Sequence, residues 1–531
     1  MKKIFYIALF ALFTLVMVAC DGKHSFSIVV ENVSELRESI VLDLTLVDEE
    51  DALKNSEIKG TISKKGSKTI ISTKSVTFDS NNEEELSFTG LDADTEYSIT
   101  IYAGYDGKKV TLVERNAKTS NEGTEDAPYS IDSYDDFANI VKKDSDGYFK
   151  LVADIDFNGK SVSPLFTSTT PFAGHFDGNG KTISNFKVAD KDEDGNNKHV
   201  SSSSQYYGLF GYIGSEGKVE NVTLNSFEVY VSRATSLSSS KQSNYGLLAG
   251  YCAGTVKNVT VTNSTLNVKS TNKTSNLIVV GGLVGNLAGK GTLENVSVDA
   301  DVAFNGVLDV TLGGVVGSTV NAERMSKVEN DATVKIPNIY KASYTGDINV
   351  KLEGTTCSVV TAVGGLVGKN YNALVLDAFL SGTITINSDF SNVDNQTIIL
   401  GGLVGWMVSD GAELSVSKST ITFDVTTFDV PTDGDVLNIY AGLLVGQNGG
   451  SASSKSMVVD CQYEMTEGIN TINVSASKAV VVTSDLVANQ LGDLVSSNVY
   501  STATILVKEY TVVSEGDTII EKEYTLTFSN M

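Results

Sequence analysis

A short glycine-bounded cassette recurs through most of this 531-residue chain, and self-similarity at that period restricts the fold to a stacked, repeating architecture. The copies are Gly208-Leu-Phe-Gly211, Gly246-Leu-Leu-Ala-Gly250, Gly281-Gly-Leu-Val-Gly285, Gly313-Gly-Val-Val-Gly317, Gly364-Gly-Leu-Val-Gly368, Gly401-Gly-Leu-Val-Gly405 and Gly442-Leu-Leu-Val-Gly446. Their closing glycines are 39, 35, 32, 51, 37 and 41 residues apart. Degenerate copies flank them at Phe172-Ala-Gly174 and Asp485-Leu-Val-Ala488. A second element follows in phase, ending in Asn185, Asn221, Asn258, Asn295 and Asn330, which are 36, 37, 37 and 35 apart. Asp377, Asp460 and Asn498 continue that series, with no clear member near Ser415.

These features predict an all-β fold dominated by a right-handed parallel β-helix of about nine coils. One turn of chain makes a coil of short strands, and the next stacks about 4.8 Å away through parallel ladder bonds. Equivalent residues then form columns. The Asn series is expected to stack as an amide ladder, and the Leu-Val pairs to fill the interior. Glycine is expected at coil corners for positive φ or close backbone approach. Five prolines in 531 residues agree, because nearly every coil amide must donate to a ladder. The alternative, a chance low-complexity motif in a sandwich array, is disfavoured by nine copies in phase with a second motif.

Ahead of the repeat, residues 25–119 alternate apolar and polar positions in short strands, such as Phe26–Val30 and Ile40–Leu46, at sandwich spacing. The stretch Phe88–Ala103 resembles the corner of a fibronectin type III domain, with Tyr97 as the corner tyrosine; a more general immunoglobulin-like sandwich is the alternative. A polar linker, Asn121–Pro128, precedes a capping box at Ser133-Tyr-Asp-Asp136 that opens a short helix. The repeat domain is placed at 126–505, and residues 506–531 read as a hairpin capping its end.

The N-terminus carries an address. Lys2 and Lys3 precede an apolar run, Ile4–Val18, too short to span a bilayer and of the length of a secretory core region. It ends Met17-Val18-Ala19-Cys20 and then turns polar, which resembles a bacterial lipoprotein signal with Met17 where Leu is usual. Residues 1–20 are thus read as signal and lipidated Cys20, against a simple secretory cleavage site. Acyl chains on Cys20 imply a membrane partner, and a cell-envelope location, expected to be the outer membrane and surface-exposed. Cys252, Cys357 and Cys461 are three, so they cannot all pair, and read as buried small hydrophobes.

Gly-Gly-Leu-Val-Gly followed by Leu-Glu-Asn-Val resembles the GLUG motif of bacterial cell-surface proteins, and the entry sequence Phe172-Ala-Gly-His-Phe-Asp177-Gly-Asn-Gly180 fits the same group. The resemblance covers residues 128–505. It implies the fold; for function it implies only adhesin-like roles, or association with protease domains that this chain lacks.

Forty Lys and Arg against 65 Asp and Glu give 40 − 65 = −25, and only four of the cations are Arg. That leaves no basic footprint and excludes nucleic acid as a partner. The catalytic inventory is thin. His24, His175 and His199 are far apart, and neither His-Glu-x-x-His nor Gly-x-Ser-x-Gly occurs. A polysaccharide lyase would need a basic residue, and the repeat holds only Arg233 and Arg324. A hydrolase would need paired carboxylates, for which Asp154 and Asp156 are the candidates, read here as structural. Asp190, Asp192 and Asp194 with Gly195 match the first half of a calcium loop, but position twelve is Ser201, not Glu. They read as a solvated acidic insertion, with calcium as the weaker alternative and no other cofactor. Between Lys369 and Lys455 lie nine acids and one base, Lys418, a negative segment that serves solubility. Tyr206, Tyr207, Tyr212, Tyr245 and Tyr251 cluster around the first cassettes and, with Trp406, are the candidates for stacking against glycan. The expectation is a non-catalytic, lipid-anchored adhesin or binding protein for glycan or host matrix protein, with a carbohydrate-active enzyme as the alternative.

Overall fold

The computed structural model describes residues 26–527 with interruptions, of which 428–436 is the longest, and side chains within 26–408 and 440–449. Cys20 and its signal, His24, Arg324, Asn330, Cys357, Asp460, Cys461, Asn498 and the side chains of most of the acidic segment lie outside the described residues. The chain forms two compact units: residues 1–129 with 135–149, and 130–134 with 150–531. Among the described residues no helix is long and apolar enough to cross a membrane.

The first unit is a sandwich. Ser27–Glu35, Ser39–Val47 and Glu83–Thr89 make a three-stranded antiparallel sheet, and Ser72–Val76, Ile58–Lys64, Glu96–Tyr105 and Lys108–Lys118 a four-stranded one. Period-two alternation buries Tyr97, Ile99, Ile101 and Ala103 from one strand against Ile40, Leu42 and Phe88 from the other sheet. The Tyr97 hydroxyl accepts a hydrogen bond from the Asp92 backbone amide at 2.8 Å, the bond expected of a corner tyrosine. Residues 120–129 and 135–149 add to this unit. The Tyr129 hydroxyl accepts from the Arg37 amide at 2.8 Å, and the buried Lys143 ammonium reaches Asp43 Oδ1 at 2.7 Å. The short helix expected after Ser133 spans Tyr134–Asn139.

The second unit is a parallel β-helix. Each coil contributes one short strand to sheet 1 (Tyr206–Tyr207, Ser243–Tyr245, Ile278–Gly281, Val310–Gly313, Val360–Gly364, Gln396–Gly401, Leu437–Gly442, Ala479–Ser484). The cassette turns the chain into sheet 2 (Phe210–Ile213, Ala249–Cys252, Val284–Leu287, Val316–Ser318, Val367–Asn370, Val404–Met407, Val445–Asn448, Val487–Gln490). A long strand then joins sheet 3, as in Thr255–Ser270, Thr292–Gly306, Ile339–Thr355 and Leu374–Asn392. Eight described coils enter both short sheets, and Leu165 and Phe172 bridge in parallel to Phe210 and Ile213 to start an incomplete ninth. The Leu-Val pairs lie inside, with Leu283, Val284, Leu366, Val367, Leu403 and Val404 all fully buried. At the far end Thr504–Val512 pairs in parallel with Thr471–Ser475 and antiparallel with Ile519–Thr527.

Of the two reasons expected for glycine at the coil corners, close approach is the one that applies, and positive φ falls to the asparagines. No cassette glycine has positive φ. Glycine is required there by close approach: a Cβ on Gly285 would lie 2.7 Å from the backbone nitrogen of Tyr245 and from the Gly250 carbonyl oxygen. The left-handed positions are Asn221 (φ 56), Asn258 (φ 52), Asn295 (φ 54), Lys341 (φ 53) and Asp377 (φ 51), one column on sheet 3. Asn is among the non-glycine residues that tolerate this region best. Asn258 Nδ2 donates to Asn221 Oδ1 at 2.9 Å and Asn295 Nδ2 to Asn258 Oδ1 at 2.8 Å, so the expected ladder forms.

One assignment to that column is corrected. Asn185 follows Ser184, which pairs with Asn225, so it stands beside Ser226 (φ 57) and Asn263 (φ 49) in a second left-handed column. Asn330 lies outside the described residues; Met325–Glu329 and Ala332–Ile336 form an antiparallel hairpin, and Lys341 takes the position next to Asn295. This hairpin lies within the longest interval between cassettes, 51 residues.

Candidate functional site

Strand alternation divides the five clustered tyrosines. Tyr207 and Tyr245 are buried, whereas Tyr206, Tyr212 and Tyr251 are half-buried. Tyr212 and Tyr251 are register partners on adjacent coils, and their rings stack with centroids 4.2 Å apart and planes 15° apart. Tyr206, from sheet 1, meets both edge-on, at 5.1 Å from Tyr212 and 5.6 Å from Tyr251. Residues of the sheet 1 column that Tyr206 opens therefore face those of the sheet 2 column. Burial pushes all three phenols above their ordinary pKa, so the platform is uncharged at neutral pH.

The parallel register carries the sheet 2 column onward from Tyr212 and Tyr251 through Asn286, Ser318, Lys369, Trp406 and Gln447. Each is the residue directly after a closing glycine. Trp406 thus stands four coils beyond Tyr251, about 19 Å along the axis. Its indole nitrogen donates to the Gly449 carbonyl at 2.9 Å, and the Lys369 ammonium lies 4.7 Å from its ring centroid, an arrangement of cation–π type. Between them Asn286 and Ser318 are 5% and 1% exposed, and Asn286 Oδ1 and Ser318 Oγ have no hydrogen-bond partner among the described residues. The same holds for Thr311 Oγ1, which lies in the column that Tyr206 opens. Composition had pointed to the rings alone; counting one residue beyond each closing glycine finds Asn286, Ser318 and Lys369.

The carboxylates of Asp154, Asp156 and Asp192 are used locally. Asp154 Oδ1 accepts from the Thr182 amide at 2.8 Å. Asp156 Oδ1 accepts from Asn185 Nδ2 at 2.8 Å and the Asn158 amide at 2.7 Å, bonds that lower its pKa and hold it ionised. Asp190, Asp192 and Asp194 fall on a small hairpin, Asp190–Lys191 against Asn197–Lys198. There Asp192 Oδ1 accepts from the amides of Asp194 and Asn196 at 3.0 and 2.7 Å. Among the described residues no group of three or more His, Cys, Asp or Glu is placed to hold a metal ion. His175 Nε2 pairs with Glu220 Oε1 at 2.7 Å, which Lys218 Nζ also reaches at 2.7 Å. His199 Nε2 bonds Asn267 Oδ1 at 2.8 Å, and burial lowers its pKa. Arg233 is buried, its Nε on Ser243 Oγ at 3.0 Å. Cys252 is buried as expected, its thiol pushed up to about 12 by desolvation.

A family model of the GLUG motif matches residues 360–385, which run from one sheet 1 strand through the Gly364–Gly368 cassette into the sheet 3 strand. Halomucin of Haloquadratum walsbyi is 29% identical over 222 residues, 39% of this chain and 2% of that protein. A protein of Evansella cellulosilytica named as a Gly-rich membrane protein is 32% identical over 170 residues, 31% of this chain and 17% of its own length. The chain therefore spans a small part of both relatives. Among solved structures, an exopolygalacturonase of family 28 from Yersinia enterocolitica aligns over 86% of this chain and 98% of its own, at 12% identity and a TM-score of 0.18, too low to bear on activity.

Proposed function

We propose that this chain is a non-catalytic, surface-anchored binding protein whose β-helix is offered to an extended ligand, a glycan before a matrix protein. The observation that carries this reading is the half-buried platform of Tyr206, Tyr212 and Tyr251, set in columns that continue from coil to coil in register. A solenoid offers such a ligand a long, rigid series of equivalent positions, and the ring faces supply apolar stacking area. The sandwich, with its corner tyrosine at Tyr97 and its three- and four-stranded sheets, is read as a fibronectin type III-like spacer. Cys20 is read as the acylated anchor to the outer membrane. A relative named as a membrane protein supports an envelope location.

A carbohydrate-active enzyme is the competing reading. Against it, Asp154 and Asp156 are engaged by backbone amides and Asn185, and Arg233 is buried. The deciding experiment incubates the chain lacking residues 1–20 with a polysaccharide panel and reads both binding and release of reducing ends or unsaturated products. Binding without turnover is expected; turnover lost in Asp154→Asn or Asp156→Asn would make the entry strand a catalytic site. Cys20→Ser should abolish uptake of labelled fatty acid and release the protein from membranes. A wild type that takes up no label, with a variant that still sediments with membranes, would sink the anchor.

A further inference from the structure

We infer that Lys143 and Asp43 join covalently, in an isopeptide bond between the lysine amine and the aspartyl carboxyl, with Glu85 as the proton carrier. The site lies wholly within the sandwich unit and does not depend on the ligand of the β-helix.

Three strands and one turn build it. Asn32, Asp43 and Glu85 stand directly opposite one another across Ser27–Glu35, Ser39–Val47 and Glu83–Thr89. The register slips between Val30 and Asn32, and this bulge leaves Asn32 opposite Asp43, with Nδ2 donating to Asp43 Oδ2 at 3.3 Å. Two carboxylates facing each other on neighbouring strands repel, so the row by itself weakens the sheet. Lys143 closes the turn Val141–Lys143 and reaches this row with its side chain only 6% exposed. Its Nζ lies 2.7 Å from Asp43 Oδ1, 3.0 Å from Asp43 Oδ2 and 3.7 Å from Glu85 Oε2. An amine, a carboxyl, a second carboxylate and an amide donor thus converge on one point.

That set can perform an acyl transfer. With both carboxyl oxygens within 3.0 Å of Nζ, the carbon between them is in reach of attack. A proton first passes from the ammonium to Asp43 Oδ1, leaving a neutral amine beside a neutral carboxyl. The amine lone pair then forms the N–C bond at Cγ while the C=O π pair moves onto Oδ2, where the Asn32 N–H stabilises it. Glu85 takes a proton from the nitrogen and returns it to Oδ1; the C–O bond breaks and Oδ1 leaves as water. One ammonium and one carboxylate become one amide and one water, with no oxidant or cofactor. The low exposure of Lys143 keeps bulk water away from the product. The bond spans 100 residues of sequence, and cross-links that close long loops restrict the unfolded chain most. In a chain anchored at Cys20, load passing toward the β-helix would run from Asp43 directly to Lys143 and bypass residues 44–142; this use, unlike the bond, rests on the anchor proposed above.

The test is tryptic peptide mapping by mass spectrometry of the full chain, purified in detergent. Trypsin does not cut after an acylated lysine. The expected product is one branched peptide of residues 38–54 and 143–150, lighter than their sum by one water. The denatured wild type should also migrate faster in SDS gels than Lys143→Arg, which keeps a cation at the site but has no amine to acylate. Asp43→Asn should close with loss of ammonia in place of water. In newly synthesised protein, Glu85→Gln should slow closure about a hundredfold, and melting curves check that each variant is folded. Separate peptides 38–54 and 144–150 from folded wild type overturn the bond and leave an ion pair. A branched peptide that forms at the wild-type rate in Glu85→Gln, or that persists in Lys143→Arg, overturns the assigned residues.

Discussion

Asn258 shows how one residue type meets two demands at once. Its backbone sits at φ 52, where a residue with a Cβ is strained, and its side chain both donates to Asn221 and accepts from Asn295. Asn258→Ala keeps the strain and removes both bonds, so a loss of about 1–3 kcal/mol is expected in urea unfolding. Asn258→Gly relieves the strain and should recover roughly half of that loss. Lys341 is the complementary case. It holds φ 53 in the same column with its ammonium 5.0 Å from the Tyr340 ring centroid, and offers no amide to Asn295. Lys341→Asn is expected to stabilise the chain by about 0.5–1 kcal/mol, measurable as a shift in urea midpoint at constant slope. A destabilised variant would mean that the cation–π contact outweighs the amide bond.

The segment 120–149 shows that an element's partners decide its character. It reads as linker and short helix, yet Lys143 ties it to a strand and Tyr129 to a turn of the sandwich unit. Burial raises the Asp144 carboxyl above its usual 3.8, against hydrogen bonds from the Asp146 amide and the Tyr129 phenol that favour the ionised form. A carboxyl raised in the folded state contributes stability below the unfolded value of 3.8 and loses it as pH rises through the folded value. Asp144→Asn is therefore expected to melt higher than wild type at pH 7, with the gap closing as pH falls toward 4. Equal melting temperatures at pH 7 would show that the carboxylate is not penalised by its surroundings.

Across the whole molecule, stability in the β-helix passes from each coil to its neighbours through the ladders and shared columns. Leu283, at the cassette corner, is fully buried, and Leu283→Asp would place an unpaired charge between coils. Several kcal/mol of local destabilisation is expected, above the few tenths typical of a surface change. Hydrogen exchange should show lost protection in coils 243–318, while the sandwich strands retain theirs. Loss of protection in both units together would indicate that they unfold as one. The same column logic makes the tyrosine platform a property of several coils: it needs Tyr206 and Tyr212 from one and Tyr251 from the next.

The repeat, the coil count and the buried Leu-Val columns were legible in the sequence because a solenoid imposes its period on every coil. Tyr97 was legible because a corner tyrosine has a local context. Which asparagines share a column was not. Asn185 has the right spacing and neighbouring residues, but a three-residue bulge, Gly178–Gly180, shifts the register within its strand, and an inserted hairpin precedes Lys341. The function of the cassette glycines was assigned from what glycine permits, and only backbone proximity showed that close packing, not positive φ, requires them. The tyrosine cluster was visible as composition, but adjacent residues in a strand face opposite ways, so Tyr206 and Tyr207 part company once register is set. That Tyr212, Tyr251 and Trp406 share one column, with unpaired polar groups between the rings, depends on parallel pairing across residues 32 to 51 positions apart. Sequence spacing sets the period of such a column; the ladder alone determines which side chains stand next to one another in it.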